Sequence, residues 1–233
     1  MIILTFADFY KRLSPNIKAS IIITVILAVL VLIVGHKAKK QDPNKPSKGL
    51  VLVFEILIDW INGMCKDNLG PRWKKYAPMI VTLALFIFIS NISGMFGFNN
   101  PTANIAITVA LGFISAFMIQ ATAIKENGFK NYLKGFLDPF PIMLPINIIS
   151  EIVTPFSLGM RLFGNILSGS IIMALIYQSL ALLEIASIPV GAVLSVLVAP
   201  VFHAIFDIFF GAIQTYVFIL LTIIFISGKM PEE

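Results

Sequence analysis

The chain has 233 residues, of which 58% are hydrophobic and 12% are charged, and its mean hydropathy is +0.93. A soluble domain carries roughly 25% charged residues, so this composition excludes the soluble enzymes and predicts a polytopic membrane protein. The net charge of +5 is spread over short loops between apolar runs, which is typical of membrane topology and not of a nucleic-acid-binding patch. Cys65 is the only cysteine, which excludes a disulfide framework and a CxxC metal site.

The N-terminal part of the chain contains one candidate span and one interrupted apolar segment. Residues 19–35 are uncharged and just long enough to cross a membrane. A cleavable signal peptide is the alternative, but the run begins late and no small-x-small cleavage site precedes the next polar stretch. Residues 49–66 are apolar except for Glu55 and Asp59, an i,i+4 pair that favours a helix in the membrane interface or packed on other helices.

Residues 76–124 contain no Asp, Glu, Lys or Arg. The stretch Gly94–Asn104 interrupts them with Gly, Asn and Pro, which are residue types that form turns. The sequence therefore predicts two spans, at 77–95 and 103–124, joined by a tight uncharged loop.

The C-terminal part consists of two unusually long apolar segments, residues 145–183 and 189–228. As one helix, each would be roughly 58 Å long, whereas the hydrocarbon core of a bilayer is about 30 Å thick. Each segment therefore either folds back on itself or crosses the membrane at a steep slant of roughly 60°. No Gly/Pro/Asn cluster interrupts them, so we expect a hairpin of two long tilted helices, with kinks or curvature at Pro155 and Pro200.

The distribution of basic residues agrees with five crossings under the positive-inside rule. With 49–66 in the interface, the N-terminus lies outside, the C-terminus is cytoplasmic and the uncharged 96–102 loop lies outside. A four-crossing arrangement, with the C-terminus outside, is opposed only by Lys229. The expected fold is thus a single all-α membrane domain, residues 1–233, with about five spans. Its cytoplasmic basic residues are Lys37, Lys39, Lys40, Lys45, Lys48, Arg72, Lys74, Lys75, Lys125, Lys130, Lys134 and Lys229.

One arginine lies deep in the first long segment. No charged residue separates Arg161 from Glu151 or from Glu184, and an arginine at the centre of a membrane helix costs about 2.5–3.5 kcal/mol. Such a residue is functional by default, and a structural arginine paired with carbonyl groups is the alternative.

Polar residues around Arg161 recur at spacings of three and four, which predicts one polar stripe that faces a partner, water or an ion path. Hydrogen bonds between helices would explain the hydroxyl groups of the stripe but not its arginine. The stripe consists of Asn147, Ser150, Thr154, Ser157, Arg161, Asn165 and Ser168.

A second polar group lies on the last helix. His203 and Asp207 are four residues apart, and Gly211 and Gln214 continue the same predicted face at spacings of four and three. A buried carboxyl beside a cation is poised to exchange protons, and a static pair between Asp207 and Arg161 is the alternative. These ligands are too few for a metal site, and the zinc-protease, nucleophile-elbow, phosphate-loop and dinucleotide motifs are absent. The sequence therefore predicts no metal, no cofactor and no catalytic site.

Two segments together resemble a known family. TPFSLGMRLFGN at residues 154–165, followed by Ser168 and Gly169, is similar to the most characteristic segment of subunit a of the rotary F-type ATP synthases. HAIFDIFFGAIQTYVFILLTIIFIS at residues 203–227 resembles the final helix of that subunit. The order of the five spans and the interfacial segment also matches, so the resemblance covers nearly the whole chain.

The resemblance implies an ion-conducting stator whose two long helices pack against a rotating ring of c subunits. Arg161 and Gln214 would face the ring, and two offset aqueous half-channels would carry H+, or in some members Na+, to and from each ring carboxylate. The implied partners are the c-ring, peripheral-stalk subunit b and the lipid bilayer, without nucleic acid. The implied ion-translocation residues are Arg161, Asp207, Gln214, Asn165, His203 and Glu151, with Ser150, Thr154, Ser157, Ser168 and Ser170 along the channel.

The chain departs from the bacterial pattern of this family at two positions. Bacterial members commonly carry a carboxylate nine residues after the arginine and a histidine seven before the glutamine, where this chain has Ser170 and Asp207. The acid on the last helix resembles the mitochondrial arrangement, and His203 would take the part of the histidine. The lack of an Arg- and Ser-rich presequence fits a bacterial cytoplasmic membrane rather than a mitochondrial inner membrane, although an organelle-encoded copy would look similar.

Two other functions remain open on the residues alone. A stand-alone secondary transporter or channel would use the polar stripe as its substrate path, but inverted repeats and broken helices are not found. An intramembrane hydrolase using His203 and Asp207 lacks a nucleophile with a paired base.

Overall fold

A computed structural model describes residues 12–41, 46–96, 98–137, 140–182 and 190–231 of the chain. Within these ranges the chain is helical and contains no β-strand. Five helical segments in this described part of the chain are long and apolar enough to cross a membrane. The prediction of an all-α polytopic membrane protein is confirmed.

The described helices agree closely with the predicted segments, and one short helix after the third span was not predicted. The link between the two long segments lies outside the described residues. The α-helices are α1 (Pro15–Lys39), α2 (Leu50–Leu69), α3 (Trp73–Ile92), α4 (Ile105–Asn127), α5 (Phe129–Gly135), α6 (Leu144–Ala181), α7 (Val190–His203) and α8 (Phe210–Ser227).

The two long segments do not fold back on themselves. Helix α6 runs for 38 residues and continues through Pro155. Helix α7 continues through Pro200 and joins α8 by a π-helical segment, Ala204–Phe209, which the sequence did not predict. The expectation of two long helices is therefore met in the described residues, and their tilt in a membrane stays a prediction.

Helix α2 turns back on α3 at Gly70, whose φ of +54° lies in the left-handed region that glycine tolerates best. Ile61, Cys65 and Leu69 of α2 are buried in one apolar cluster with Tyr76 of α3. Helix α2 also contacts α1 and α8, so it packs across the bundle. Its predicted place in the membrane interface stays a prediction.

Helices α4 and α6 cross in close backbone contact at two glycines. A Cβ atom on Gly112 would lie 2.1 Å from the carbonyl oxygen of Pro155, and one on Gly159 would lie 2.7 Å from the Cα of Val109. These distances are too short for any side chain, so both glycines are required for the approach of the two backbones. The crossing fixes α6, and with it Arg161, relative to the rest of the bundle.

Polar contacts gather three chain segments at one end of the bundle. Arg72 and Lys75 donate to Glu126 at 2.9 and 2.7 Å, and the Asn127 amide donates to the Lys229 carbonyl oxygen at 2.7 Å. The basic residues that begin α3 and those after α4 and α8 therefore share one end, as the positive-inside analysis requires. The side of the membrane that this end faces stays a prediction.

Candidate ion pathway

Arg161 lies on α6 with its side chain exposed at the surface of the chain. It makes no hydrogen bond or ion pair with any other residue that the structure describes. Exposed residues beside it on the same face include Ser157, Gly164 and Ser168, all of which are small. A permanently charged guanidinium thus stands free on a helix face with room for a partner helix.

The hydroxyl groups of the polar stripe bond to their own helix. Ser150 donates to the Ile146 carbonyl at 2.9 Å, Thr154 to that of Ser150 at 2.8 Å, and Ser168 to that of Asn165 at 2.9 Å. Their oxygen lone pairs are left for water or a partner. These three hydrogen bonds stay within α6, which favours a pathway or docking role for the stripe over hydrogen-bonded contact between helices.

Four of the predicted site residues line a cavity of about 300 Å³ on the C-terminal side of Arg161 along α6, and they are Asn165, Ser170, His203 and Asp207. We name it the Asp207 cavity. His203 Nδ1 lies 2.7 Å from Asp207 Oδ2. Asp207 therefore pairs with His203, and a static Arg161–Asp207 pair is not observed. The cavity is lined by Gly94, Asn100, Asn165, Ile166, Gly169, Ser170, Met173, Ala174, Tyr177, His203, Phe206 and Asp207.

A second cavity of about 460 Å³ opens between α4, α5 and α6 on the N-terminal side of Arg161 along α6. We name it the Glu151 cavity. Asn147, Ser150 and Glu151 contribute to its lining. The Glu151 carboxylate accepts hydrogen bonds from Lys229 and Gln120. Glu151 therefore connects α6 with α4 and with the segment that follows α8.

Tyr132 completes the polar cluster in the Glu151 cavity. Its hydroxyl donates to Gln120 Oε1 at 2.9 Å, and Gln120 in turn contacts Glu151. Burial raises the pKa of Tyr132, and the negative charge of Glu151 raises it further. The phenol therefore stays protonated and acts as a donor at neutral pH.

The two cavities lie on opposite sides of Arg161 along one uninterrupted helix. Glu151 precedes Arg161 by ten residues and Asn165 follows it by four, which are axial distances of roughly 15 and 6 Å. The cavities share no lining residue. The geometry is that of two separate polar recesses with an unpaired cation between them.

Comparison with known proteins shows to which family the chain belongs. The family model described as ATP synthase A chain matches residues 18–227. The chain belongs to the ATP synthase A chain family. The resemblance drawn from the RLFGN segment and the last helix is thereby confirmed.

Curated members of the ATP synthase A chain family are similar over most of the chain. ATP synthase subunit a of Anoxybacillus flavithermus is 30% identical, with 92% of each chain covered. ATP synthase subunit a of Sulfurihydrogenibium sp. is 36% identical over 89% of this chain and 97% of its own. A protein of Propionigenium modestum named "ATP synthase subunit a, sodium ion specific" is 33% identical over 77% of this chain and 63% of its own.

Gln214 is placed differently from what the family resemblance implies. It is 8% exposed on α8, inside the chain, and its amide nitrogen has no hydrogen-bond partner among the described residues. Gly211 is buried as well, against Asn91. The π segment changes the helical register between Asp207 and Gly211. His203 and Asp207 therefore face the cavity, whereas the two later residues face the interior.

Several residues near the two cavities were missed in the sequence. Tyr177 OH lies 3.1 Å from His203 Nε2, Lys229 and Gln120 bind Glu151, and Asn91 donates to the Gly211 carbonyl at 3.1 Å. Asn91 and Gln120 could have been noticed as amides within apolar spans. The sequence did not indicate the partners of Tyr177 and Lys229, because each gains its partner from a helix distant in sequence.

Replacing Lys229 with glutamine is expected to lower the free energy of unfolding by about 1 kcal/mol or less, since exposed ion pairs are weak. The side chains of Lys229 and Glu151 are 34% and 23% exposed. Thermal unfolding of the purified protein measures the effect. The matched control is Lys130→Gln, at an exposed lysine of α5, which should leave the Tm unchanged. A loss of several kcal/mol would contradict a partly exposed pair.

Proposed function

We propose that this chain is the ion-conducting stator of an F-type ATP synthase, with its two cavities as the two half-channels. The observation that carries the proposal is the unpaired, exposed Arg161 between two separate polar cavities on one helix. The residues assigned to translocation are Arg161, Asn165, His203, Asp207 and Glu151, with the hydroxyls of the stripe. Gln214 is included on the family resemblance alone, because it lies inside the chain.

The physical basis is the effect of a fixed cation on a moving acid. A ring carboxyl that reaches Arg161 is favoured in its ionised form, because an opposite charge within about 4–6 Å stabilises the anion. The carboxyl then releases its proton into one half-channel. It must take up a proton from the other half-channel before it returns to lipid, because burying the bare anion in lipid is too costly. The fixed positive charge blocks direct passage between the cavities, so ions cross only when the ring turns.

The sides of the two half-channels follow from charge. Arg72, Lys75 and Lys229 lie at the end of the bundle that holds the Glu151 cavity. The positive-inside rule assigns that end to the cytoplasm and the Asp207 cavity to the outside. We place the chain in a bacterial cytoplasmic membrane, because its listed relatives are bacterial proteins. Its N-terminus is placed outside by the same charge rule.

The partners of the proposed stator are a ring of c subunits facing Arg161, peripheral-stalk subunit b and lipid. The transported ion is H+, because imidazole, phenol and carboxyl groups line the Asp207 cavity. The sodium-specific relative makes Na+ the alternative. We assign ATP synthesis to other subunits of the complex.

Purification of the tagged chain from mild detergent tests the proposal. The chain is expected to copurify with a ring of small hairpin subunits, and the reconstituted complex is expected to acidify vesicles on addition of ATP. Dependence of pumping on Na+ would replace H+ by Na+ as the ion. Purification of the chain alone, with specific solute uptake in liposomes, would contradict the proposal and favour a stand-alone transporter.

A further inference from the structure

The segment after α8 supplies the only cation that lines the Glu151 cavity among the residues that the structure describes. Lys229 donates from its ammonium group to Oε1 of the Glu151 carboxylate. Glu151 is in turn the one acidic side chain of the described lining, so the two charges cancel. The cavity therefore holds a single ion pair and has no net charge.

The second oxygen of the Glu151 carboxylate is bound from α4. The amide nitrogen of Gln120 donates to Oε2, and the amide oxygen of Gln120 accepts from the Tyr132 hydroxyl at 2.9 Å. An amide has one donor end and one acceptor end, so a phenol that donates to the oxygen turns the nitrogen toward Glu151. Each carboxylate oxygen thus has its own donor, an ammonium group on one and an amide on the other.

The other polar groups of the lining are side chains that carry oxygen atoms. Carboxylate, amide and hydroxyl oxygens, together with water, are the ligands that hard metal cations prefer. The cavity volume of about 460 Å³ leaves room for an ion with part of its water shell. Without its lysine, a cavity of this kind would attract a metal cation to the carboxylate. These polar side chains are Asn127, Asn131, Tyr132, Asn147 and Ser150.

The backbone of Lys229 is anchored beside the cavity. Lys229 follows the last residue of α8 by two positions, and its N–H donates to the Ile226 carbonyl oxygen at 3.1 Å. Its own carbonyl oxygen accepts from the Asn127 amide at 2.7 Å. A group on so short a tether has a high effective concentration at its partner. An ion from solution must therefore compete with a cation that is held next to Glu151.

We propose that Lys229 is a specificity-determining residue: as a tethered cation it occupies the position beside Glu151 that Na+ would otherwise take. The proposal rests on the ion-conducting function proposed above and concerns which ion passes through the Glu151 cavity. Na+ needs oxygen ligands in direct contact, and the ammonium group neutralises the strongest of them. A proton moves along hydrogen-bonded water and does not require the ammonium group to leave. Lys229 thereby keeps this half-channel open to protons and closed to metal cations.

The experiment measures passive proton conduction through the assembled membrane sector in vesicles, after removal of the soluble sector. It compares NaCl with choline chloride at one pH and one ionic strength. Wild-type conduction is expected to be equal in the two salts. In Lys229→Gln, Na+ is expected to bind at Glu151 and to lower conduction by about fivefold relative to choline, the factor that corresponds to a partly exposed ion pair.

Two matched variants separate the charge of Lys229 from its packing. Lys229→Arg keeps a cation on the same tether, so its conduction should remain insensitive to Na+. Lys130→Gln removes an exposed lysine of α5 that does not line the cavity, and it should also remain insensitive. If Lys229 only fastened the segment after α8, Lys229→Gln would lower the Tm without making conduction sensitive to Na+, and this result would overturn the proposal.

Thermal unfolding of the intact complex decides the matter if Lys229→Gln conducts no protons in either salt. An ion that binds the folded state raises the Tm by mass action. The Tm of Lys229→Gln is expected to be higher in NaCl than in choline chloride, whereas that of Lys229→Arg is expected to be the same in both. An equal Tm of Lys229→Gln in the two salts would overturn the proposal.

These outcomes differ from a failure of the stator function. Conduction of Lys229→Gln that is equal in the two salts, with ion pumping still lost in Arg161→Ala, overturns the role of Lys229 and leaves the stator function standing. Wild-type conduction that requires Na+ also overturns the role of Lys229, with Na+ then the ion of the stator. Pumping retained in Arg161→Ala overturns the stator function itself.

Discussion

Replacing Arg161 with alanine is expected to abolish ATP-driven ion pumping, while ATP hydrolysis by the soluble sector continues. Two unit charges about 4 Å apart attract by about 4 kcal/mol at an effective dielectric constant near 20, which is roughly a thousandfold in an equilibrium constant. Without this attraction a ring carboxyl keeps its proton and does not exchange it between the half-channels. Pumping is measured as ATP-dependent quenching of a pH-sensitive dye in vesicles, beside the rate of ATP hydrolysis.

The matched control for this prediction is Arg72→Ala. Arg72 pairs with Glu126 at the end of the bundle, and Lys75 also contacts that carboxylate, so Glu126 keeps a cationic partner in this variant. Pumping in this variant should stay within about twofold of the wild type, because exposed ion pairs contribute little. Full pumping by Arg161→Ala would disprove the role assigned to the guanidinium.

Arg161→Lys provides a graded comparison. It should retain less pumping than Arg72→Ala because lysine is a strongly hydrated point charge that neutralises readily when desolvated, whereas the guanidinium keeps its charge. The deficit is expected to grow as the pH rises. Equal pumping by Arg161→Lys and the wild type at all pH values would mean that any cation suffices.

Replacing Gly112 with alanine is expected to destabilise the chain by about 1–3 kcal/mol or more, the range typical of overpacked cores. The new Cβ would lie 2.1 Å from the Pro155 carbonyl oxygen, which belongs to the backbone and cannot rotate away. Helices α4 and α6 must then separate, and Arg161 moves with α6. We expect a lower Tm together with uncoupled or lost pumping.

Gly35→Ala is the control for the glycine prediction, because Gly35 is also helical and a Cβ there meets no atom within 4 Å. Its stability should be equal to or slightly above that of the wild type, since alanine favours helix. Gly159→Ala should reproduce the defect from the other side of the crossing, where the Cβ would lie 2.7 Å from the Cα of Val109. An unchanged Tm in both Gly112→Ala and Gly159→Ala would disprove the close crossing.

The membrane helices could be predicted from the sequence because their cause is local. In lipid every backbone group must be bonded within its own segment, so an uncharged apolar run of sufficient length becomes a helix. This reasoning located α1, α3, α4 and the 38-residue α6 to within a few residues. The polar stripe was also readable, since its period follows from the geometry of one helix and places Arg161 beside Ser157 and Ser168.

Features that depend on how helices meet could not be predicted. Tyr177 and His203 are 26 residues apart and Glu151 and Lys229 are 78 apart, so nothing in either local pattern indicates the partner. The burial of Gln214 follows from a π segment, which shifts the register of an otherwise regular helix.

The amino-acid sequence by itself determined that this chain is a bundle of membrane helices with one charged arginine deep among apolar residues. Composition and period are sufficient for this, because lipid leaves a polar group few alternatives. Only the tertiary structure decided which polar residues gather on each side of Arg161. Two glycines bring α4 and α6 into backbone contact, and this crossing sets which side chains can reach one another.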